Sequence, residues 1–516
     1  MLLILAVLLP IVMAGVLLAL IRLKPNFIWG WLLAVLAALF TWGLLLVQGF
    51  LLPNAVTLLQ WQNLFWFQQP PALLADAISL PFASLCAALT FATLATAGVR
   101  NLNQASAPGV RLWAGMLAFG AVGLLAALAE NPLTLALAWM LLDAVEQVLM
   151  LTQVRAPRAR EQTVVIFSVR VLGTLFLLWA ALTARAGSDG LSFAIIPEAA
   201  QFWLLLAAGL RLGVLPLHLP FADFVPLRRG LGTLLRLIPA VSALMLLARV
   251  ASVPVLLANW HVLAGFTAIA GLYAGVGWWR AENALAGRPF WLLGVGALAV
   301  FAALNGAPLA VVAWSVSGLV LGGLLFLLEV QPARGNWLLL GAGLFLGLPF
   351  TPSAGGLGGI LGGWGVLLLL AHALLWGGWL RFALRVQSAM PPAPAALRWA
   401  YRLGALILLS AGWIGQRANV WNLTLLWVLL PLGGAVLWGW WKIRSPRALP
   451  TGMLTRLRLP NISLGWLYPR VWHLYRVLLR AFATLNELLE GEGGVLWSFL
   501  LLALVFSLVS EILGVR

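Results

Sequence analysis

The stretch GLRLGVLPLHLPFADFVP, residues 209–226, interrupts a long run of Leu and Ala with a positive charge and two helix-breaking prolines. The run is apolar enough to lie in a bilayer, yet it carries Arg211, then Pro216 and Pro220 with His218 between them. An arginine in mid-bilayer costs roughly 2.5–3.5 kcal/mol on insertion scales, so it needs a partner or a wet cavity. The rest of the chain must therefore supply a compensating group close to this segment.

The composition excludes an ordinary soluble domain. Of the 516 residues, 63% are hydrophobic and only 9% are charged, whereas about a quarter of a soluble protein is charged. The net charge of +17 would suggest nucleic acid in a soluble chain. We ascribe it to loop charges that set membrane orientation, and we predict no nucleic-acid partner. The single cysteine, Cys86, lies in an apolar run, so this chain alone cannot form a disulfide or a Cys-based metal site.

The hydrophobic runs predict the membrane topology. About 16 segments are long and apolar enough to cross a bilayer. They lie near residues 2–22, 28–52, 77–98, 112–129, 132–152, 162–184, 199–219, 232–250, 259–279, 289–305, 307–328, 336–361, 364–380, 403–416, 420–441 and 494–514. The first, residues 2–22, has no basic region before it, so we interpret it as a spanning helix and not as a cleaved signal. With the N-terminus outside, most Lys and Arg residues of the loops fall on the inner side. The sequence thus predicts an all-α, multi-pass protein of a prokaryotic cytoplasmic (inner) membrane, with both termini outside.

A second break lies in the predicted twelfth span. The stretch GLPFTPSAGGLGG, residues 347–359, contains Pro349, Pro352 and several glycines. Proline removes a backbone donor and clashes with the preceding turn, and in lipid the freed groups need protein or water as partners. Breaks in corresponding helices of two halves are typical of transporters with internal repeats. We therefore predict two inverted five-helix repeats, formed by helices 4–8 and 9–13 and broken at helices 7 and 12.

These spans and breaks predict six parts of the chain. They are N-terminal helices 1–3 (1–111), the first repeat (112–258), the second repeat (259–385), helices 14 and 15 (386–441), a segment at the inner face (442–493) and the last helix (494–516). Within the inner-face segment, basic and polar residues recur every three or four positions from Pro469 onward, with apolar residues between them. This spacing predicts an amphipathic helix on the membrane surface, with a plain linker as the alternative.

Charged residues inside the predicted spans form the candidate functional site. Asp143 and Glu146 stand three residues apart in the fifth span and so share one helical face. Arg170, Arg211 and Arg236 lie in the sixth, seventh and eighth spans. We predict that Asp143 or Glu146 neutralises Arg211 and that Arg170 shares this network. Two interpretations stay open: the network carries protons, or it only fixes how the helices pack.

The histidines contribute less to the candidate functional site. His218 follows the break in the seventh span, where it could relay protons or cap the broken helix. His372 stands in an apolar span that also contains tryptophans, and we interpret it as a helix-packing residue. The sequence has no His and carboxylate residues at metal-ligand spacing and no Gly-rich phosphate loop after a strand. We accordingly predict no metal, no cofactor and no catalytic or redox centre in this chain.

Several of these stretches resemble the antiporter-like membrane subunits of respiratory complex I and their relatives in multisubunit cation/proton antiporters and membrane-bound hydrogenases. The resemblance is carried by AENPLTLALAWMLL (129–142), IFSVRVLGTLFLLWAALTARAGSDGLSF (166–193), GLRLGVLPLHLPFADF (209–224) and GLPFTPSAGG (347–356). The order of fourteen core helices, a fifteenth helix, an amphipathic stretch and a sixteenth helix is similar to the distal subunit of that family. The resemblance implies neighbouring membrane subunits as partners, within the lipid bilayer.

The resemblance also implies a set of titratable residues. In the family a Glu on helix five pairs with a Lys on helix seven, a Lys or His follows on helix eight, and a Lys or Glu stands at the break of helix twelve. In this sequence the helix-five position is Met140, with Asp143 one turn further on. The helix-seven lysine is replaced by Arg211, and the helix-eight cation corresponds to Arg236. The helix-twelve position falls at or near Leu357, with no ionisable residue close to it.

This substitution pattern has a chemical consequence. A buried lysine can lose its proton, whereas arginine stays protonated in essentially any protein site. Our hypothesis is an antiporter-like subunit of a complex-I-type proton-translocating assembly with a degenerate proton path. The alternatives are a structural arm subunit that does not conduct, and a membrane component of a cation/proton antiporter or a bicarbonate uptake system.

Overall fold

The structure is a computed structural model, and it describes most of the chain in separate ranges. These are residues 1–24, 29–58, 69–98, 107–154, 156–186, 191–220, 227, 229–254, 260–328, 345, 351, 353–361, 363–383, 394–414, 462, 466–490 and 502. Pro349 and Pro352, and the predicted spans near 420–441 and 494–514, lie outside the described residues, apart from the single residue 502. Contacts divide the chain into two units, Met1–Ile462 and Ser463–Arg516.

The described residues of the first unit are mostly helical. Its helices are α1 (Leu2–Leu23), α2 (Gly30–Gln48), α3 (Ser79–Gly98), α4 (Ala107–Ala127), α5 (Pro132–Gln153), α6 (Pro157–Ala186), α7 (Glu198–Leu212), α8 (Arg229–Ala251), α9 (Trp260–Arg280), α10 (Arg288–Leu304), α11 (Pro308–Leu327), α12 (Ala354–Gly358), α13 (Gly365–Ala383) and α14 (Ala395–Ala411). Ten of the described helices are long and apolar enough to cross a membrane. The predicted all-α polytopic membrane fold is confirmed.

A small hairpin stands between α2 and α3. Strand β1 (Asn54–Thr57) pairs antiparallel with β2 (Ala72–Ala75), and Asn54 faces Ala75 in the register. The Glu130 N–H, just before α5, donates to the Ala72 carbonyl at 3.1 Å. The hairpin therefore joins the loop that leads into α5.

Helix α8 is the centre of the first unit. All residues of its most apolar 18-residue stretch are buried inside the protein, whereas the buried share of the corresponding stretch is 33% in α1 and 39% in α6. It contacts α3, α4, α7, α10 and α11. A helix that is apolar on every side is stable only when other helices surround it or when lipid does. Here the surrounding helices bury it, and α1 and α6 present apolar side chains outward.

The first break has a defined geometry. Helix α7 ends at Leu212, well before the predicted end of the seventh span near residue 219. Gly213 follows with φ +79°, and a Cβ there would lie 2.4 Å from the His218 carbonyl oxygen. Left-handed backbone disfavours any residue with a Cβ, so the glycine ends the helix and the chain turns toward Pro216.

The second unit is described mainly by one helix, α15 (Leu467–Glu490). Arg470, Arg476 and Arg480 are exposed on it, as are Trp472 and Phe482. The helix forms where the sequence predicts an amphipathic segment. Its place on a membrane surface stays a prediction.

Candidate functional site

Helix α5 supplies the two acidic groups of the site. It starts at Pro132, and the Asn131 side chain accepts a hydrogen bond from the Thr134 N–H at 2.9 Å, which is a standard N-cap. The helix then turns Asp143 and Glu146 inward on the same face, and both are buried. Carboxylates buried at this depth require a cation or several donors nearby.

Arg211 of α7 meets Asp143 directly. Its Nη1 donates to one carboxylate oxygen at 2.9 Å and its Nη2 to the other at 2.5 Å, so the pair is bidentate. The two side chains are 1% and 2% exposed. Nη1 also donates to the Arg170 carbonyl at 3.2 Å and to the Thr174 hydroxyl at 3.4 Å. A guanidinium fork held at both tips has little freedom to change partner.

Arg170 of α6 makes a second pair, with Glu146. These side chains are 6% and 8% exposed. We call Asp143, Glu146, Arg170 and Arg211 the ion-pair cluster. It contains two carboxylates and two guanidiniums, so it carries no net charge, and this balance lets four ionised groups stay out of water.

The cluster has support that sequence reasoning missed. The indole of Trp139 lies under Arg211, with 4.2 Å from the guanidinium carbon to the ring centre, and donates to the Ser242 hydroxyl at 2.8 Å. A Cβ on Gly173 would stand 3.0 Å from the Arg211 Cγ, so the glycine gives that side chain its space. The sequence does contain a signal for this contact: Trp139 stands four residues before Asp143, and residues four apart share a helix face.

A small cavity opens beside the cluster, between α5 and α6. Its volume is about 10 Å³, enough for the centre of one water molecule. Asp143, Glu146, Gln147, Thr163 and Arg170 provide its polar lining. The site can thus hold one water against Glu146 and Arg170, on the side of α5 toward its C-terminal end.

His218 lies at the first break. One ring nitrogen, Nδ1, is 2.8 Å from the Pro216 carbonyl, and the His218 N–H donates to the Gly213 carbonyl at 2.8 Å. The next residue, Leu219, donates its N–H to the Ile462 carbonyl at 3.0 Å. His218 thus contacts the turn that follows α7; its predicted roles, a cap of the broken helix or a proton relay, both stay predictions.

Arg236 of α8 lies beside another arginine. Its Nη1 donates to the Gly232 carbonyl at 3.0 Å, and a Cβ on Gly232 would stand within 3.0 Å of nitrogens from both Arg236 and Arg288. The structure thus groups Arg236 with the start of α10. Its predicted role in the network of Asp143 and Arg211 stays a prediction.

Aromatic side chains pack beside the described part of the second break. Leu357 of α12 is fully buried, and Trp314 donates to the Gly356 carbonyl at 2.8 Å. The ring of His372 lies 4.7 Å from that of Trp314, and its Nε2 is 2.8 Å from the Phe345 carbonyl oxygen. His372 therefore packs against Trp314 of α11 and against Phe345, which precedes the predicted break, in keeping with its interpretation from the sequence as a helix-packing residue.

A third ion pair, between Arg249 and Asp76, lies near the C-terminal end of α8. Arg249 binds Asp76 through both nitrogens, at 2.5 and 3.0 Å. Burial alone would raise the pKa of Asp76, but the hydrogen bonds and charge of Arg249, with hydrogen bonds from Ser79, lower it. Burial raises the pKa of nearby Glu130 against the opposing charge of Arg249. This pair joins the loop after the hairpin to α8, and the sequence analysis did not predict it.

No protein-family model matches the chain, and no curated protein matches it. Solved structures do match. The chain is similar to a chain of the Mrp complex from Dietzia sp., with a TM-score of 0.71 and 16% identity over 100% of this chain. This chain spans 63% of the length of that one.

Two further structures share the fold. A chain of the membrane-bound sulfane sulfur reductase, an archaeal respiratory membrane complex, matches with a TM-score of 0.62 and 15% identity, over 98% of this chain and 99% of that one. A chain of respiratory complex I from Thermus thermophilus with bound aureothin matches with a TM-score of 0.60 and 17% identity, over 79% of this chain and 96% of that one. The fold implied by the motif resemblance is thereby confirmed.

Proposed function

We propose that this chain, which has the fold found in those multisubunit membrane complexes, is an antiporter-like membrane-arm subunit of a complex-I-type proton-translocating assembly and that its own proton path is degenerate. Its partners would be other membrane subunits and the surrounding bilayer of a prokaryotic cytoplasmic membrane. We propose that this path lies within the two five-helix repeats predicted at 112–258 and 259–385.

The bidentate contact between Arg211 and Asp143 carries the proposal. A path for protons needs side chains that accept and release a proton, and a buried lysine can do so. Arginine stays protonated, and here both tips of its fork are bound. At the second break the corresponding position is the buried, apolar Leu357. The cluster can therefore hold charge and tune its neighbours, but Arg211 cannot pass protons on.

Proton pumping by the parent complex in sealed vesicles tests the proposal. We would measure protons moved per electron for the wild type and for the double variant Asp143→Leu with Arg211→Leu, which removes both members of the pair and leaves no lone buried charge, with Glu198→Gln on the exposed α7 surface as the matched control. A degenerate path predicts a small loss in the double variant, while electron transfer and assembly persist. A loss equal to a whole pumping unit at unchanged electron transfer would contradict it.

Two alternatives lead to different outcomes. A purely structural subunit, favoured by the zero net charge of the ion-pair cluster, predicts pumping identical to wild type in every assembled variant. A component of a cation/proton antiporter or a bicarbonate uptake system is favoured by the match to the Mrp complex over the whole chain. Purification of the chain with its stable companions separates this last case, because hydrogenase or quinone-reductase subunits among them argue against an uptake system.

A further inference from the structure

Helix α14 packs one side on the bundle and turns the other side outward. A Cβ on Gly404 would stand 3.3 Å from the Ala92 Cα of α3, so the two helices meet closely at that point. The side chains on this side of α14 are buried, and they include Leu397, Tyr401, Ala405 and Leu408. The side chains on the opposite side are exposed, and they include Arg398, Trp399 and Arg402.

The exposed side changes from charged to apolar along the helix. Arg398 and Arg402 stand four residues apart, so their side chains are neighbours on the helix surface. The guanidinium carbon of Arg402 lies 5.4 Å from the ring centre of Trp399, within the range of a cation–π contact. The exposed residues that follow are apolar: Leu403, Leu406 and Trp413. This order is typical of a helix that passes from the headgroup region into the hydrocarbon, and the sequence predicts a span near 403–416.

No acidic side chain among the described residues pairs with these two arginines. None of the 14 Asp and Glu residues of the sequence lies between Glu329 and Glu487, and the ion pairs of the described residues involve other arginines. Arg398 also stands in the first turn of α14, where the helix dipole is positive. This end of the helix therefore favours an anionic neighbour that the described part of the chain does not supply.

We propose that Arg398, Trp399 and Arg402, which we call the arginine face, bind the phosphate of an anionic membrane lipid. Planar guanidinium forks match phosphate oxygens, and an indole suits the level of the headgroups. Loop charges predict that this end of α14 faces inward, where anionic headgroups attract basic segments. A lipid also explains the apolar continuation of the exposed side, because acyl chains would cover Leu403 and Leu406. The site concerns lipid binding and not flux, so it stands or falls separately from the proposed function.

Lipid retention by the full-length purified chain tests this proposal. The chain would be placed in nanodiscs with equal amounts of phosphatidylglycerol and phosphatidylcholine, and native mass spectrometry would give the ratio of the two lipids that stay bound. We expect the wild type to retain phosphatidylglycerol in excess. Arg398→Gln with Arg402→Gln should lower that ratio by at least about tenfold, since each basic residue near an anionic surface contributes about fivefold.

A charge-matched control separates a defined site from general surface charge. Arg22→Gln with Arg111→Gln removes two exposed arginines on the same predicted side of the membrane, and this control should retain phosphatidylglycerol as the wild type does. An equal loss in the control and in the arginine-face variant overturns the proposal.

The other outcomes also decide. A wild type that retains the two lipids equally overturns the proposal, as does an arginine-face variant with the wild-type ratio. If that variant loses companion subunits while its lipid ratio stays at the wild-type value, the arginine face binds a protein and the proposal is wrong. If the variant does not fold, Arg398→Lys with Arg402→Lys keeps both charges and removes the forks. An unchanged ratio in the lysine variant then overturns the proposal.

Discussion

Removal of the Asp143 carboxylate should be among the most damaging single changes in the membrane core. Asp143→Asn keeps the size of the side chain and removes its charge. Arg211 then stays ionised in a site where its side chain is 1% exposed. An arginine cannot escape by losing its proton, so the uncompensated charge remains in the folded state.

The magnitude follows from the contacts. Two charge-assisted hydrogen bonds, at 2.9 and 2.5 Å, are lost or converted to weaker amide contacts, and each is worth about 1.5–3 kcal/mol. The Trp139 ring 4.2 Å away still faces the guanidinium and offsets part of the loss. We expect Asp143→Asn to lower the free energy of unfolding by about 3–5 kcal/mol, the range for breaking a buried pair at one partner.

Equilibrium unfolding of the purified chain in mixed micelles, titrated with a denaturing detergent, measures this loss. The double variant Asp143→Leu with Arg211→Leu is the decisive companion, because replacing both members of a buried pair is often neutral or stabilising. Glu198→Gln, at the exposed start of α7, should change stability by less than about 0.5 kcal/mol. Two results would refute the argument that Asp143 and Arg211 depend on each other in a site that excludes water. One is a cost below about 1 kcal/mol for Asp143→Asn, and the other is a double variant as unstable as the single one.

Three further predictions concern stability. Because the pKa of Asp76 is lowered in the folded chain, its pair with Arg249 should stabilise the fold fully above a pH of about 4, and this stabilisation should be lost as the pH falls through the lowered pKa. The unfolding midpoint of Asp76→Asn should therefore lack this acid-dependent decrease. A pH profile of Asp76→Asn identical to that of the wild type would contradict the prediction. Gly173→Ala should cost about 1–3 kcal/mol by crowding Arg211, whereas Gly43→Ala, with open space around it, should change stability by less than about 1 kcal/mol; equal effects would contradict the packing argument. Gly213→Ala should cost about 2 kcal/mol or more in the same unfolding assay, because a Cβ is disfavoured at φ +79° and meets a backbone oxygen, and a neutral result would show that the break relaxes freely.

The outline of the fold could be predicted from composition because lipid imposes one strong local rule. A segment without water must satisfy its own backbone groups, so long apolar runs become helices. The helix boundaries were less exact. Helix α4 starts at Ala107 and not near 112, and α6 extends over Pro157–Ala186, beyond the predicted 162–184, because polar and small residues at these ends add little hydropathy yet continue the helix.

The sequence by itself determined that buried charges exist and on which helices they stand: Asp143 and Glu146 on one face of α5, and arginines on the next three helices. Only the tertiary structure decided the partners, since these depend on how far each helix is rotated about its axis and how deep it sits. It joined Arg211 to Asp143 and Arg170 to Glu146, and it placed Arg236 beside a residue of α10. Contacts between residues so far apart in the chain are a property of packing, and no local pattern encodes them.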